Sequence, residues 1–125
     1  MASFLATSTP TSPLAALRAY LRQRRNEFTD LRAGLLPVGA DPHAVLGFVH
    51  EHRGQLEYLF TDERFATIVG GTAAAQHLKK ELQRLGFLIV TAAGGQGTRY
   101  VAKRRLVAGG ERQSVVAVAA RILDP

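Results

Sequence analysis

The chain has 125 residues, 46% of them apolar, which is enough for one modest core and too little for two. Sixteen Lys and Arg against ten Asp and Glu leave a formal charge of +6 and a pI near 10.5, favouring a polyanionic partner, nucleic acid ahead of a membrane surface. The absence of cysteine excludes disulfides, thiolate metal sites and a cysteine nucleophile, and no apolar run approaches the roughly 20 residues of a membrane span.

Residues 1–13, rich in Ser, Thr and Pro, read as a disordered lead or linker. They lack the basic start and long apolar core of a signal peptide, so a cytoplasmic location is expected. Residues 14–125 then form one domain. Leu14, Leu17 and Leu21 recur at helical spacing after Ser12 and Pro13, predicting a first helix over residues 14–25. Its Arg18, Arg22, Arg24 and Arg25 could hold phosphate, but such an Arg-rich helix end more often complements the helix dipole and stays solvated. Phe28 and Leu31 are expected to face inward, and Gly34, Pro37 and Gly39 mark irregular chain. Residues 45–50 and 56–60 are β-rich runs around a turn in which Gly54 supplies a positive φ, so a β-hairpin is predicted.

Thr61 or Asp62 suits the cap of a short helix that ends at Gly70 and Gly71, with Phe65, Ile68 and Val69 facing inward. A second helix follows over residues 72–86, with Thr72 as its cap and Gly86 as its left-handed end. At roughly 100° per residue, Ala74, Ala75, Leu78, Leu82 and Leu85 fall on one side, and Ala73, Gln76, Lys79, Lys80, Gln83 and Arg84 on the other. Helix, glycine turn and helix make the outline of a helix-turn-helix. Residues 87–91 are expected to form a strand and the glycine-rich residues 92–97 a mobile loop. Residues 98–106 and 113–119 read as two further strands, joined by a hairpin at residues 108–111. On the first of these, Arg99, Lys103 and Arg105 alternate with Tyr100, Arg104 and Leu106. The fold expected is α+β: a winged helix-turn-helix with an N-terminal helix and an additional β-hairpin. Its core should include Leu17, Phe65, Ile68, Leu78, Leu82, Leu85 and Ile89.

Neither glycine cluster, Gly94-Gly-Gln-Gly or Gly109-Gly, is followed by the Lys-Ser/Thr of a nucleotide loop. His50 and His52 sit at a hairpin tip, where solvent-exposed histidine is ordinary, and with His43 and His77 they do not read as a metal set. No serine has a nucleophile-elbow setting. No cofactor, metal or catalytic residue is therefore expected. The nucleic-acid candidates are Gln76, Lys79, Lys80, Gln83 and Arg84 on the helix and Arg99, Lys103, Arg104 and Arg105 on the ribbon. Lys and Arg neutralise phosphates, and glutamine amides can read adenine.

The stretches Glu27-Phe-Thr-Asp-Leu, Gly47-Phe, Glu57-Tyr-Leu-Phe, Leu82-Gln-Arg-Leu-Gly-Phe-Leu, Tyr100-Val-Ala-Lys-Arg-Arg and Ala120-Arg-Ile-Leu add a further expectation. With the segment from Arg64-Phe to Gly70-Gly, they resemble the C-terminal region of helicase-like ATPases encoded on plasmids, prophages and cassette-type mobile elements. The chain is also similar in outline to the winged-helix C-terminal domains of conjugal relaxases. The resemblance implies an accessory module of a replication helicase, non-catalytic by itself, that binds double-stranded or forked DNA and works with a parent helicase or ATPase. The ATPase core of that family, with its nucleotide loop, is absent from this sequence. The alternatives are a protein-interaction or oligomerisation domain docking onto an ATPase or another subunit, and an RNA-binding module.

Overall fold

The computed structural model describes residues 12–90 and 100–124. Most of the expected lead, the glycine-rich loop at 92–97 and Arg99 lie outside them. The first helix begins one residue earlier than expected: Ser12 Oγ accepts from the Ala15 amide, and Pro13 opens helix α1, Pro13–Arg24. Pro lacks the N–H that the first turn would leave unpaired, so it suits this position. Leu17 and Leu21 project from α1 into the core and are fully buried.

A short strand that the sequence pattern does not reveal, β1 at Thr29–Asp30, pairs in parallel with β2, Phe48–His52. β2 pairs antiparallel with β3, Gln55–Phe60, through a two-residue turn. Both turn residues have positive φ, Arg53 at 53° and Gly54 at 80°, the conformation whose twist matches that of a hairpin. Thr61 then caps α2, Asp62–Val69, accepting from the Arg64 amide, and the helix ends at Gly70 with φ 105°. Helix α3, Thr72–Leu85, stops at left-handed Gly86 as expected. Its cap differs: the N-cap is Gly71, Thr72 is the first helical residue, and no side chain bonds the free amides. Three strands follow, β4, Leu88–Ile89, β5, Ala102–Arg105, and β6, Arg112–Ala119, and a 3-10 turn at Ala120–Leu123 then buries Ile122.

The sheet runs β1-β2-β3-β6-β4, with β5 paired to the first half of β6. Alternation along β3 and β6 gives it two buried faces. Tyr58, Phe60, Val116 and Val118 pack against Leu17, Leu21, Phe65, Leu78 and Leu82 of the three helices. Phe48, Leu59, Val115 and Ala117 form a second core with Leu31, Ala102, Leu106 and Val107. The second core exists because the ribbon of β5 and early β6 curls over that face. In register, Glu57 lies opposite Ala119 and Arg104 opposite Gln113. Ala119 and Gln113 are six residues apart on β6, about 20 Å of straight strand, farther than an Arg and a Glu side chain reach together. Yet Arg104 Nε is 2.8 Å from Glu57 Oε2. The backbone bond from the Leu36 amide to the Leu106 carbonyl, 2.9 Å, fastens the turn end of the ribbon to the irregular segment after β1.

The expected core is largely present, with Leu17, Phe65, Leu78 and Leu82 fully buried and Ile68 and Ile89 partly so. Leu85 is the exception at 39% exposed. Among the described residues, no helix is long and apolar enough to cross a membrane. Leu82→Ala should therefore cost about 2–5 kcal/mol in urea unfolding, as for other buried leucines. Leu85→Ala should cost less than about 1 kcal/mol, and equal costs would contradict this placement of α3.

Candidate nucleic-acid interface

Helix α3 has two stripes. Ala75, Leu78, Lys79 and Leu82, at the i, i+3, i+4, i+7 spacing of a core-facing stripe, are buried against the first face of the sheet. Gln76, Lys80, Gln83 and Arg84, at i, i+4, i+7 and i+8, form an exposed stripe. Arg84 pairs with Glu81 at 3.7 Å.

Lys79 departs from the expected cationic face. It is 3% exposed, its ammonium bonds the Asp62 carboxylate in the first turn of α2, and it sits 6.0 Å from the centre of the Phe65 ring. The physical reason is the angular position: Lys79 lies within the apolar stripe, so its stem packs in the core and its head reaches the nearest carboxylate at the rim. Lys79 ties α3 to α2 and is not available to phosphate.

Arg104 departs in the same way. The alternation on β5 is as expected, but the side of Arg104 faces the second core rather than solvent, together with Ala102 and Leu106. Its guanidinium donates from Nε to Glu57 Oε2 at 2.8 Å and from Nη2 to Glu57 Oε1 at 3.1 Å, and Nη1 donates to the Lys103 carbonyl at 2.9 Å. Glu57 is fully buried, and His50 Nδ1 lies 2.6 Å from its Oε2. A carboxylate only accepts, so the proton in that contact belongs to His50 Nδ1. The arrangement is a closed network in which both carboxylate oxygens are bonded.

The network floors a groove of about 770 Å³ between the β2–β3 turn and the ribbon. Lys103 and Arg105 border it, and so do His50, His52, Arg53 and Arg112, which the sequence analysis did not single out as a site. His50 is half-buried and not the exposed tip residue expected, and its ring stacks on that of His52 with centroids 6.3 Å apart. Lys103 Nζ donates to Ser114 Oγ at 2.6 Å. Burial holds the His52 imidazole below the usual histidine value, and the positive charge of Arg104 acts in the same direction. Of the residues missed here, His50 and His52 left one signal in the sequence, two histidines on the same side of a strand, with His50 directly across from Glu57 and His52 from Gln55. Only the pairing register reveals it.

The structure thus does not assemble one interface from the helix and ribbon candidates. Gln76, Lys80, Gln83 and Arg84 lie on the outer side of α3, over the first face of the sheet. Lys103 and Arg105 border a groove at the second face. Arg99 is outside the described residues. No family model, curated protein or solved structure matches the chain.

Arg104→Met leaves the Glu57 carboxylate buried without its guanidinium and should destabilise the domain by about 3–5 kcal/mol. Adding Glu57→Gln should recover most of that loss, which a double-mutant cycle in urea measures. Additive losses would show that the two groups are not coupled. His52 should titrate below 6.5 in an NMR pH series. Because its folded pKa is depressed, its contribution to stability is present above the unfolded value and is lost as pH falls through the folded one. His52→Gln should therefore reduce the fall in stability on the acid side of 6.5.

Proposed function

We propose that this chain is a winged-helix domain that binds double-stranded or forked DNA through the exposed stripe of α3, non-catalytic by itself, as the accessory module of a mobile-element replication helicase. The order α1, β3, α2, α3, β4, β6, with β6 lying between β3 and β4, supports the winged-helix reading. The helicase context rests on the sequence resemblance alone. The observation that carries the DNA reading is the stripe of Gln76, Lys80, Gln83 and Arg84, which combines amides with cations on one exposed side of a helix held rigidly by its other side.

A major groove about 12 Å wide admits an α-helix of this kind. Lys80 and Arg84, one turn apart, suit phosphates at the groove edge, and Gln76 and Gln83, beside them on the same exposed side, suit base edges. Lys79 has no part in this interface, being committed to Asp62.

Fluorescence anisotropy of a labelled duplex, measured between about 50 and 200 mM salt, tests the proposal. Lys80→Ala with Arg84→Ala should flatten the dependence of log K on log salt by about two, since each phosphate contact contributes about 0.9. The thermal midpoint should barely move, because both side chains are exposed. Absence of salt-dependent duplex binding in the wild type, with the same double variant instead disrupting a dimer or a contact to an ATPase, would replace this reading with an interaction domain.

A further inference from the structure

The groove at the second face of the sheet has a composition that the α3 reading leaves unused. Arg53, Lys103, Arg105 and Arg112 line it, and among the described residues no Asp or Glu does. Arg53, Arg105 and Arg112 make no ion pair among the described residues. The nearby Glu57 does not offset them, since its oxygens are taken up by Arg104 and His50. Cations gathered round a concave surface raise the local potential and concentrate anions there.

We infer that this groove binds the sugar-phosphate backbone of a single nucleic-acid strand, at a site separate from the α3 stripe. The partner class rests on the nucleic-acid reading above, but none of the residues is shared with it. A volume of about 770 Å³ accommodates a few nucleotides and not the girth of a duplex. The cations belong to both walls, Arg53 at the hairpin turn and Arg105 and Arg112 on the ribbon, so they suit successive phosphates along a strand better than one isolated anion. The floor adds ring faces: His50 and His52 stack at an interplanar angle of 27°, and a base can extend that stack. The depressed pKa of His52 keeps its ring neutral near pH 7, so it offers a π-face and not a further charge. Arg104 is a positioning residue in this site, because its guanidinium is buried and bonded to Glu57 and to the Lys103 carbonyl, and its role is to hold the ribbon and His50 where they are.

The experiment measures anisotropy of a labelled oligo-dT of about 12 nucleotides and of a duplex of equal length, for the wild type and two variants. The first variant combines Arg53→Asn, Arg105→Thr and Arg112→Thr. Asn tolerates the positive φ at 53, and Thr suits strand positions. It should lose about tenfold or more in oligo-dT affinity near 50 mM salt, with a salt slope flatter by about two, while duplex binding is retained. The Lys80→Ala, Arg84→Ala variant should do the reverse. The His52 ring protons should shift in NMR spectra of the wild type when oligo-dT is added. Failure of the wild type to bind oligo-dT, or unchanged binding by the triple variant, would overturn the inference. So would orthophosphate, pyrophosphate or thymidine monophosphate binding as tightly as the oligomer, which would identify a free-phosphate site. Duplex binding alone sinks this inference and keeps the α3 reading, and oligo-dT binding alone does the opposite.

Discussion

Glu57 carries a carboxylate with no exposure to water, and the position of the β5–β6 ribbon follows from the need to bond it. An ion taken into the interior costs several kcal/mol after relaxation unless its oxygens are paired. Arg104 supplies two donors and His50 a third, and Arg104 reaches Glu57 only because the ribbon leaves the plane of the sheet. The same curl carries Leu106 and Val107 onto Phe48 and Leu59. Polar network and second core are therefore one feature. Apolar contacts supply the drive to close the ribbon but tolerate a slip along it. A guanidinium fork meeting both oxygens of one carboxylate is satisfied in a single position.

The formal charge of +6 is divided by these contacts in a way that a count of basic residues does not convey. Lys79 and Arg104, at 3% and 7% exposure, are structural cations, each committed to one carboxylate. Arg24 and Arg32 are drawn into exposed pairs with Glu27 and Asp30, which contribute little and are screened by salt. Among the described residues, what remains for an external anion includes the outer stripe of α3, the groove at the second face, and Arg22 and Arg25 at the end of α1.

Local chemistry made much of the fold legible. Gly54, Gly70 and Gly86 announced their turns through the conformation that each must adopt, Thr61 announced the start of α2, and the β2–β3 and β5–β6 hairpins followed from their strand periodicity. The errors come from contacts remote in sequence. Lys79 was legible in principle, since the i, i+3, i+4, i+7 stripe of α3 passes through it, but it stands at the edge of that stripe, where its charge favours the outer side and its long apolar stem the inner one. Arg104 was not legible, because alternation on β5 separates its side from that of Lys103 without saying which side a distant strand will cover. The site around His50 and His52 depends on a register, His50 opposite Glu57, and on a curl of the ribbon that no local pattern encodes.

The separation of the two cationic surfaces limits what a single partner can do. A helix about 10 Å across and a sheet layer of about 10 Å lie between the outer stripe of α3 and the groove, some 20 Å in all. A major groove about 12 Å wide, occupied by α3, does not extend around that thickness. On the proposed reading, one straight duplex on the stripe would therefore leave the groove empty. A fork is different, because its strands diverge at the junction and a single strand can pass round the edge of the sheet while the duplex stays on α3. If both surfaces bind as proposed, discrimination between duplex and forked DNA would come from the groove on the second face, since the helix meets the same duplex in either case.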